Sequence, residues 1–247
     1  MKRIFLLTLI LTLLAACSPS PIQNQTLDSE LSSVDNFTPT LTKTPKPTST
    51  PRPTNTPILP KPEDTVEKFF KAAQKFEGES MAAFIDPSKT ELINEIKSIN
   101  SSDDEEMPKF LLDLFKTNSK KIEYKLTEVI VDESNALVTV DAKYVDSGPI
   151  LKGTLAEAFS KIVALAFSGV EITDDETDEL FQTTMQEQIK LIDETFKEAT
   201  LNINLIMVDS VWYLTEIDEA LKDVIMSGFV SAGAEISEAF STYNETP

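Results

Sequence analysis

Cys17 is the only cysteine among 247 residues, and the chain contains no histidine at all. Without imidazole there is no usual general base near neutral pH, no Ser-His or Cys-His arrangement, and no member of the commonest class of metal ligand. The six glycines are scattered singly, so no glycine-rich loop is present to cradle a phosphate. No Asp-x-Asp-x-Asp-Gly calcium loop occurs; Asp174-Asp175-Glu176 falls in the first turn of an expected helix, where capping is the stronger reading. Paired carboxylates are the one catalytic device left. Glu123 and Asp141 both fall on expected strands, but each alternates with apolar neighbours and should face water, whereas such chemistry needs one carboxyl held in dry surroundings. The expectation is a protein that is not an enzyme and carries no metal or cofactor.

Cys17 closes the tetrapeptide Leu14-Ala15-Ala16-Cys17, which follows Lys2-Arg3 and an apolar run from Ile4 to Leu14 broken only by Thr8 and Thr12. Eleven helical residues span roughly 17 Å, short of the roughly 30 Å of a bilayer core, so the run reads as a secretory signal rather than a spanning helix. The tetrapeptide resembles the lipobox of bacterial lipoproteins. That resemblance implies cleavage before Cys17, acylation of its sulfur and anchoring outside the cytoplasm; an ordinary secretory signal ending near a cysteine is the alternative. Two or three acyl chains would hold the protein firmly, whereas one would not.

Between Thr38 and Pro62, Thr-Pro, Lys-Pro and Arg-Pro units recur, favouring extended polyproline geometry over helix or sheet. Such a segment reaches at most about 75 Å and reads as a stalk. The expected organisation is therefore a signal at 1–16, a lipidated cysteine and linker at 17–62, and one folded domain at 63–247. The whole chain has a formal charge of −19. Residues 63–247 hold all but six of the 22 Lys and Arg and all but three of the 41 Asp and Glu, so the domain stands at −22. That acidity disfavours nucleic acid and anionic headgroups and favours colloidal solubility.

Within the domain, Val66, Phe69, Phe70, Ala73 and Phe76 follow helical spacing, with Gly78 placed to stop the helix. Met81, Phe84 and Ile85 mark a short helix ending at Asp86-Pro87. Leu92, Ile93 and Ile96 mark a third, and Phe110, Leu111, Leu114 and Phe115 a fourth, with the acidic run Asp103–Glu106 capping its start. Alternation from Ile122 to Val131, a four-residue loop at 132–135, and Val138, Val140, Ala142 and Tyr144 on one face predict a β-hairpin. Thr154-x-x-Glu157 and Thr173-x-x-Glu176 are capping boxes that open two helices, the second carrying its stripe to Ile192 and Phe196. A strand from Leu201 to Met207, a tight Asp209-Ser210 turn and a strand from Val211 to Ile217 follow. One last helix runs from about Asp218 to Phe240, weakened by Gly228 and Gly233.

This order, with the Val66-Phe69-Phe70 helix and the Trp212-Tyr213-Leu214 strand, resembles the nuclear transport factor 2-like, or cystatin-like, α+β fold. More narrowly it is similar to uncharacterised lipoprotein families of monoderm bacteria that insert a helical pair with an Ala-Phe-Ser-Gly turn, here Ala166-Phe167-Ser168-Gly169. The resemblance implies a cone: N-terminal helices, a curved antiparallel sheet of about four strands, a helical insertion at about 150–198 and a C-terminal helix. It also implies a concave sheet face that could enclose a pocket, for which Phe69, Tyr124, Tyr144, Trp212 and Tyr213 are the candidate lining; the alternative is that these side chains fill the core. Candidate partners are the membrane through the lipid on Cys17, a small apolar ligand, another envelope protein, or a second copy in a homodimer. A structural module without ligand is the second reading, and a carboxylate-dependent hydrolase the third.

Overall fold

The computed structural model describes residues 60–99 and 107–244; Cys17, the proline-rich linker up to residue 59 and the acidic run Asp103–Glu106 lie outside the described residues. The architecture is α+β. Four helices, α1 (Pro62–Ala73), α2 (Gly78–Ala82), α3 (Thr90–Ser98) and α4 (Lys109–Ser119), precede the strands β1 (Glu123–Asp132) and β2 (Asn135–Asp146). Then come α5 (Gly148–Phe167), α6 (Asp174–Leu191), β3 (Thr195–Val208), β4 (Val211–Leu214), α7 (Glu219–Ile225) and α8 (Phe229–Asn244). The strands form one antiparallel sheet in the order β1-β2-β3-β4. Among the described residues no helix is long and apolar enough to cross a membrane.

The alternation read in the sequence sets the two faces of the sheet. Val138, Val140, Ala142 and Tyr144 are buried, as are Leu201, Ile203 and Leu205 opposite them. Against this face pack Val66, Phe69 and Phe70 of α1, Phe115 of α4, and Leu221, Val224 and Ile225 of α7. The helices cover one side of the sheet, and the other side carries the polar rungs.

Several element boundaries differ from the sequence expectation, each for a physical reason. Helix α1 ends at Ala73, because Phe76 takes a left-handed φ of 56° and Gly78 opens α2 instead of closing α1. A bulky residue rarely adopts that conformation; here the Phe76 ring is fully buried and stacks on Phe115 with centroids 5.6 Å apart. The β1–β2 loop has two residues rather than four, because Asp132 pairs with Asn135 and Glu133 supplies the positive φ, 51°. Helix α5 starts at Gly148, not at Thr154. Pro149 suits a first turn, and Thr154 lies mid-helix, its hydroxyl donating to the Ile150 carbonyl at 2.7 Å.

Phe196 belongs to β3, not to the preceding helix. Ile192 is already extended (φ −90°, ψ 126°), and twelve successive rungs from Asn135↔Ile206 to Asp146↔Thr195 tie β3 to β2. β4 stops at Leu214, where Ile85 bridges the free edge: Leu214 N donates to Phe84 O at 2.8 Å and Asp86 N to Leu214 O at 2.9 Å. The last helix is two helices. Ser227 (φ 54°) and Gly228 (φ 81°) turn the chain between α7 and α8, whereas Gly233 lies inside α8.

Candidate functional site

Of the five aromatic side chains proposed to line one pocket, four join or pack against the hydrophobic core and Tyr213 lies on the other face of the sheet. Phe69, Tyr144 and Trp212 lie in the core at 0, 4 and 2% exposure. Phe69 meets Phe70 edge-on at 6.0 Å, and the Trp212 indole donates to Pro60 O at 3.0 Å while its own carbonyl accepts from Thr65 Oγ1 at 3.2 Å. Tyr124 is half-buried on β1; its ring stacks on Phe70 at 4.6 Å, and its hydroxyl reaches Glu67 O at 3.4 Å. Tyr213, one residue from Trp212 on β4, points to the opposite face of the sheet, where it pairs with Ile206. The Trp212 indole and the Tyr124 and Tyr144 phenols find hydrogen-bond partners, as buried amphipathic rings must.

A polar seam that sequence reading missed lies where β2, α5 and the α7–α8 turn meet. The Tyr144 hydroxyl donates to Asp223 Oδ2 at 2.8 Å, and Asp223 Oδ1 accepts from Ser231 N at 2.7 Å. Lys197 donates to Ser231 Oγ at 2.9 Å and stands 3.6 Å from Asp146 Oδ1, which accepts from Gly148 N at 3.0 Å. Ser147 N donates to Ser227 O at 2.7 Å, and Asn118 Nδ2 to Ser147 Oγ at 2.9 Å. Burial, then the hydrogen bond to Asp223 and the charges of Asp223 and Asp146, push the Tyr144 phenol well above its ordinary value. A phenol held neutral this firmly is a donor to a carboxylate, not a nucleophile. The available signal was Asp223, an acid set inside the apolar stripe Leu221, Val224, Ile225 of α7.

Glu123 and Asp141 lie on the polar face of the sheet. They belong to neighbouring rungs, Glu123↔Lys143↔Glu198 and Lys125↔Asp141↔Thr200, that line an open depression of about 560 Å³. Thr200 Oγ1 donates to Asp141 Oδ1 at 2.9 Å, and the Lys143 ammonium lies 5.1 Å from the centre of the Phe196 ring. Both carboxylates are exposed and sit on rungs next to lysines, so the surroundings are wet and the charges alternate. That is a solvated sheet surface rather than an acid–base pair.

The helical hairpin α5–α6 is built in two parts. At its base Ile150, Leu151, Ala158, Phe181 and Met185 join the core, and Lys161 pairs with Glu157 on its own helix (2.9 Å) and crosses to Glu187 of α6 (3.1 Å). The α6 start is a complete capping box: Glu176 N donates to Thr173 Oγ1 at 3.3 Å and Thr173 N to Glu176 Oε2 at 2.9 Å. Towards the open end the helices lose apolar cover. Phe159 is 66% exposed, Phe167 88% and Val170 50%. Phe159, Val163, Ala166 and Phe167 follow i, i+4, i+7, i+8 and share one face of α5, turned away from the side that carries Lys161 towards α6. Between the helices at that end, Leu165, Val170, Ile172 and Leu180 line an apolar groove of about 350 Å³ edged by Glu176 and Glu179.

Among the described residues no group of three or more metal-ligating side chains comes together. No protein-family model matches the chain, and no curated protein sequence matches it. Among solved structures, the chain is similar to a Bacillus subtilis protein, YcdA, described provisionally as a lipoprotein. The identity is 15% and the TM-score 0.41, over 66% of this chain and 55% of that one. A likeness of that size assigns neither family nor activity.

Proposed function

We propose that this chain is a lipid-anchored cell-envelope protein, not an enzyme, whose folded domain binds another envelope protein. The observation that carries this reading is the pairing of a filled apolar sheet face with exposed aromatics on the helical hairpin. Phe69, Val138, Val140 and Leu201 are at most 1% exposed, whereas Phe167 is 88% exposed and Phe159 66%. Apolar side chains that a chain could bury but presents instead are characteristic of contact surfaces. The filled sheet face argues against the small-ligand alternative, because a pocket needs concave, unoccupied volume. A nuclear transport factor 2-like cone fits the helix order and the one-sided packing of the sheet, and it belongs to the same proposal.

Anchoring rests on Leu14-Ala15-Ala16-Cys17 behind Lys2-Arg3 and the short apolar run. Cys17→Ala should leave the domain folded but move it from the membrane fraction to the soluble one; retention in the membrane would overturn the anchor. For partner binding, a photocrosslinking residue at position 167 in intact cells should give a discrete adduct that the same probe at exposed Glu95 does not. No adduct at 167 would overturn the association reading.

A further inference from the structure

The hairpin end that exposes Phe167 is also the most one-sidedly charged part of the domain. Between Lys161 and Lys190 there is no Lys or Arg, while Glu171, Asp174, Asp175, Glu176, Asp178 and Glu179 crowd the turn and the first turns of α6. Over residues 148–194 as a whole, three lysines face ten carboxylates. The apolar groove opens within this acidic rim, with Glu176 and Glu179 on its edge. Hydrogen bonds from Thr173 hold the Glu176 carboxyl below the usual carboxylate range, so its charge persists into mildly acidic solution.

Those charges select among the possible occupants. A second copy docked through the same end would bring its six carboxylates against the same six, and like-charge juxtaposition disfavours such pairing. An anionic membrane surface repels the same rim. A protein segment that offers an apolar anchor flanked by Lys or Arg gains on both counts, from the apolar surface that Phe167 presents at this end and from the acidic residues of the adjoining turn. The groove of about 350 Å³ is open to solvent, so an occupant there stays partly exposed, as a side chain belonging to a larger partner does.

We infer that the open end of the α5–α6 hairpin is a docking surface for an amphipathic protein segment whose apolar side chains are flanked by basic residues. This inference rests on the association reading above and adds the chemistry of the partner. Its test uses the mature full chain and three labelled synthetic peptides of equal length: an amphipathic Leu/Lys helix, the same apolar face with Glu in place of Lys, and a Lys/Ser peptide without the apolar face. The Leu/Lys peptide should bind, with affinity falling as salt rises.

Phe167→Ser should weaken it by about tenfold, as loss of a central aromatic anchor does. The double variant Glu171→Lys and Glu179→Lys should weaken it by at least about threefold at low salt. The control Glu63→Lys and Asp64→Lys, on α1, changes net charge equally and should leave binding as it was. Circular dichroism of each variant, and burial of Trp212 read by fluorescence, confirm that the fold is kept.

Binding unaffected by the hairpin variants, or weakened as much by the α1 control, would overturn the inference as mere attraction to an acidic domain. Preference for the Glu peptide would overturn it too. So would a dimer in sedimentation that Phe167→Ser dissociates, or binding to phosphatidylglycerol vesicles that depends on Phe167. If all three peptides fail while the crosslinker at 167 still gives its adduct, association through the hairpin stands and the basic character of the partner is wrong. If both fail, the association reading falls as well.

Discussion

Removing the hydroxyl of Tyr144 isolates the contribution of a single buried contact. Tyr144→Phe leaves Asp223 Oδ2 without its 2.8 Å donor in a site only 7% exposed. The expected loss is about 1–3 kcal/mol in urea unfolding, the cost of a buried acceptor deprived of its partner. The same residue sets a pH limit. Its proton is bound more tightly in the folded state than in the unfolded chain, so this contribution is complete below about pH 10 and is lost as pH rises beyond it. The alkaline fall in stability should be shallower in Tyr144→Phe than in the parent; identical slopes would show that the tyrosine is not the group responsible. Gly228 is a second residue-scale case. Its φ of 81° is strained for any side chain, and a Cβ would stand 2.5 Å from Asp146 Oδ1. Gly228→Ala should destabilise the fold by more than about 1 kcal/mol in thermal or urea unfolding.

Helix α6 shows how an element is held by its first turn. Its capping box satisfies two backbone donors that would otherwise lack partners. Thr173→Ala should cost about 1 kcal/mol and raise amide exchange first at the start of α6. Because the Glu176 carboxyl is depressed by its bonds to Thr173, the cap is intact above the ordinary carboxylate range and weakens as pH falls through the lowered value. Exchange in residues 174–177 should therefore accelerate in acid before that of β2 and β3. The other predicted box, Thr154-x-x-Glu157, is not used as a cap. Its residues serve the middle of α5, where Thr154 bonds Ile150 O and Glu157 accepts from Lys161 and Gln188. A local motif states what a helix start could be; the neighbouring chain decides whether one is needed there.

At the scale of the molecule, the hairpin is neither a free appendage nor wholly core. Replacing residues 164–179 by a short Gly-Asn turn removes the exposed end but keeps Ala158, Phe181 and Met185, so unfolding should stay cooperative. Deleting 150–198 removes Ile150, Leu151 and the first rungs of β3 and should abolish cooperative unfolding. A sharp transition in the larger deletion would show that the base is dispensable. Large apolar side chains are exposed on β1, β3 and β4 as well as on the hairpin, but the two most exposed aromatics, Phe167 and Phe159, both lie on α5, next to the most acidic turn of a domain at −22. That pairing of exposed aromatics with an acidic turn is why the proposed contact is placed at the hairpin rather than on the charged rungs of the sheet.

The α+β class, the four strands, the buried face carrying Val138, Val140, Ala142 and Tyr144, and the Thr173 cap were all legible in the sequence. Each depends on period or on contacts a few residues apart, and such signals survive in one dimension. The absence of histidine and the single Cys17 likewise bounded the chemistry before any fold was known. Other features were decided by tertiary contact. Phe76 accepts a left-handed backbone because its ring gains a stacked partner 39 residues away, and Phe196 leaves a helical stripe because β2 supplies a ladder for it. Asp223 and Asp146 meet through Tyr144, Ser231 and Lys197 only once β2, β3 and the α7–α8 turn converge. Exposure is the clearest instance: Phe69 and Phe167 look alike in a hydrophobic stripe, and only the packing of the sheet buries one and leaves the other in water.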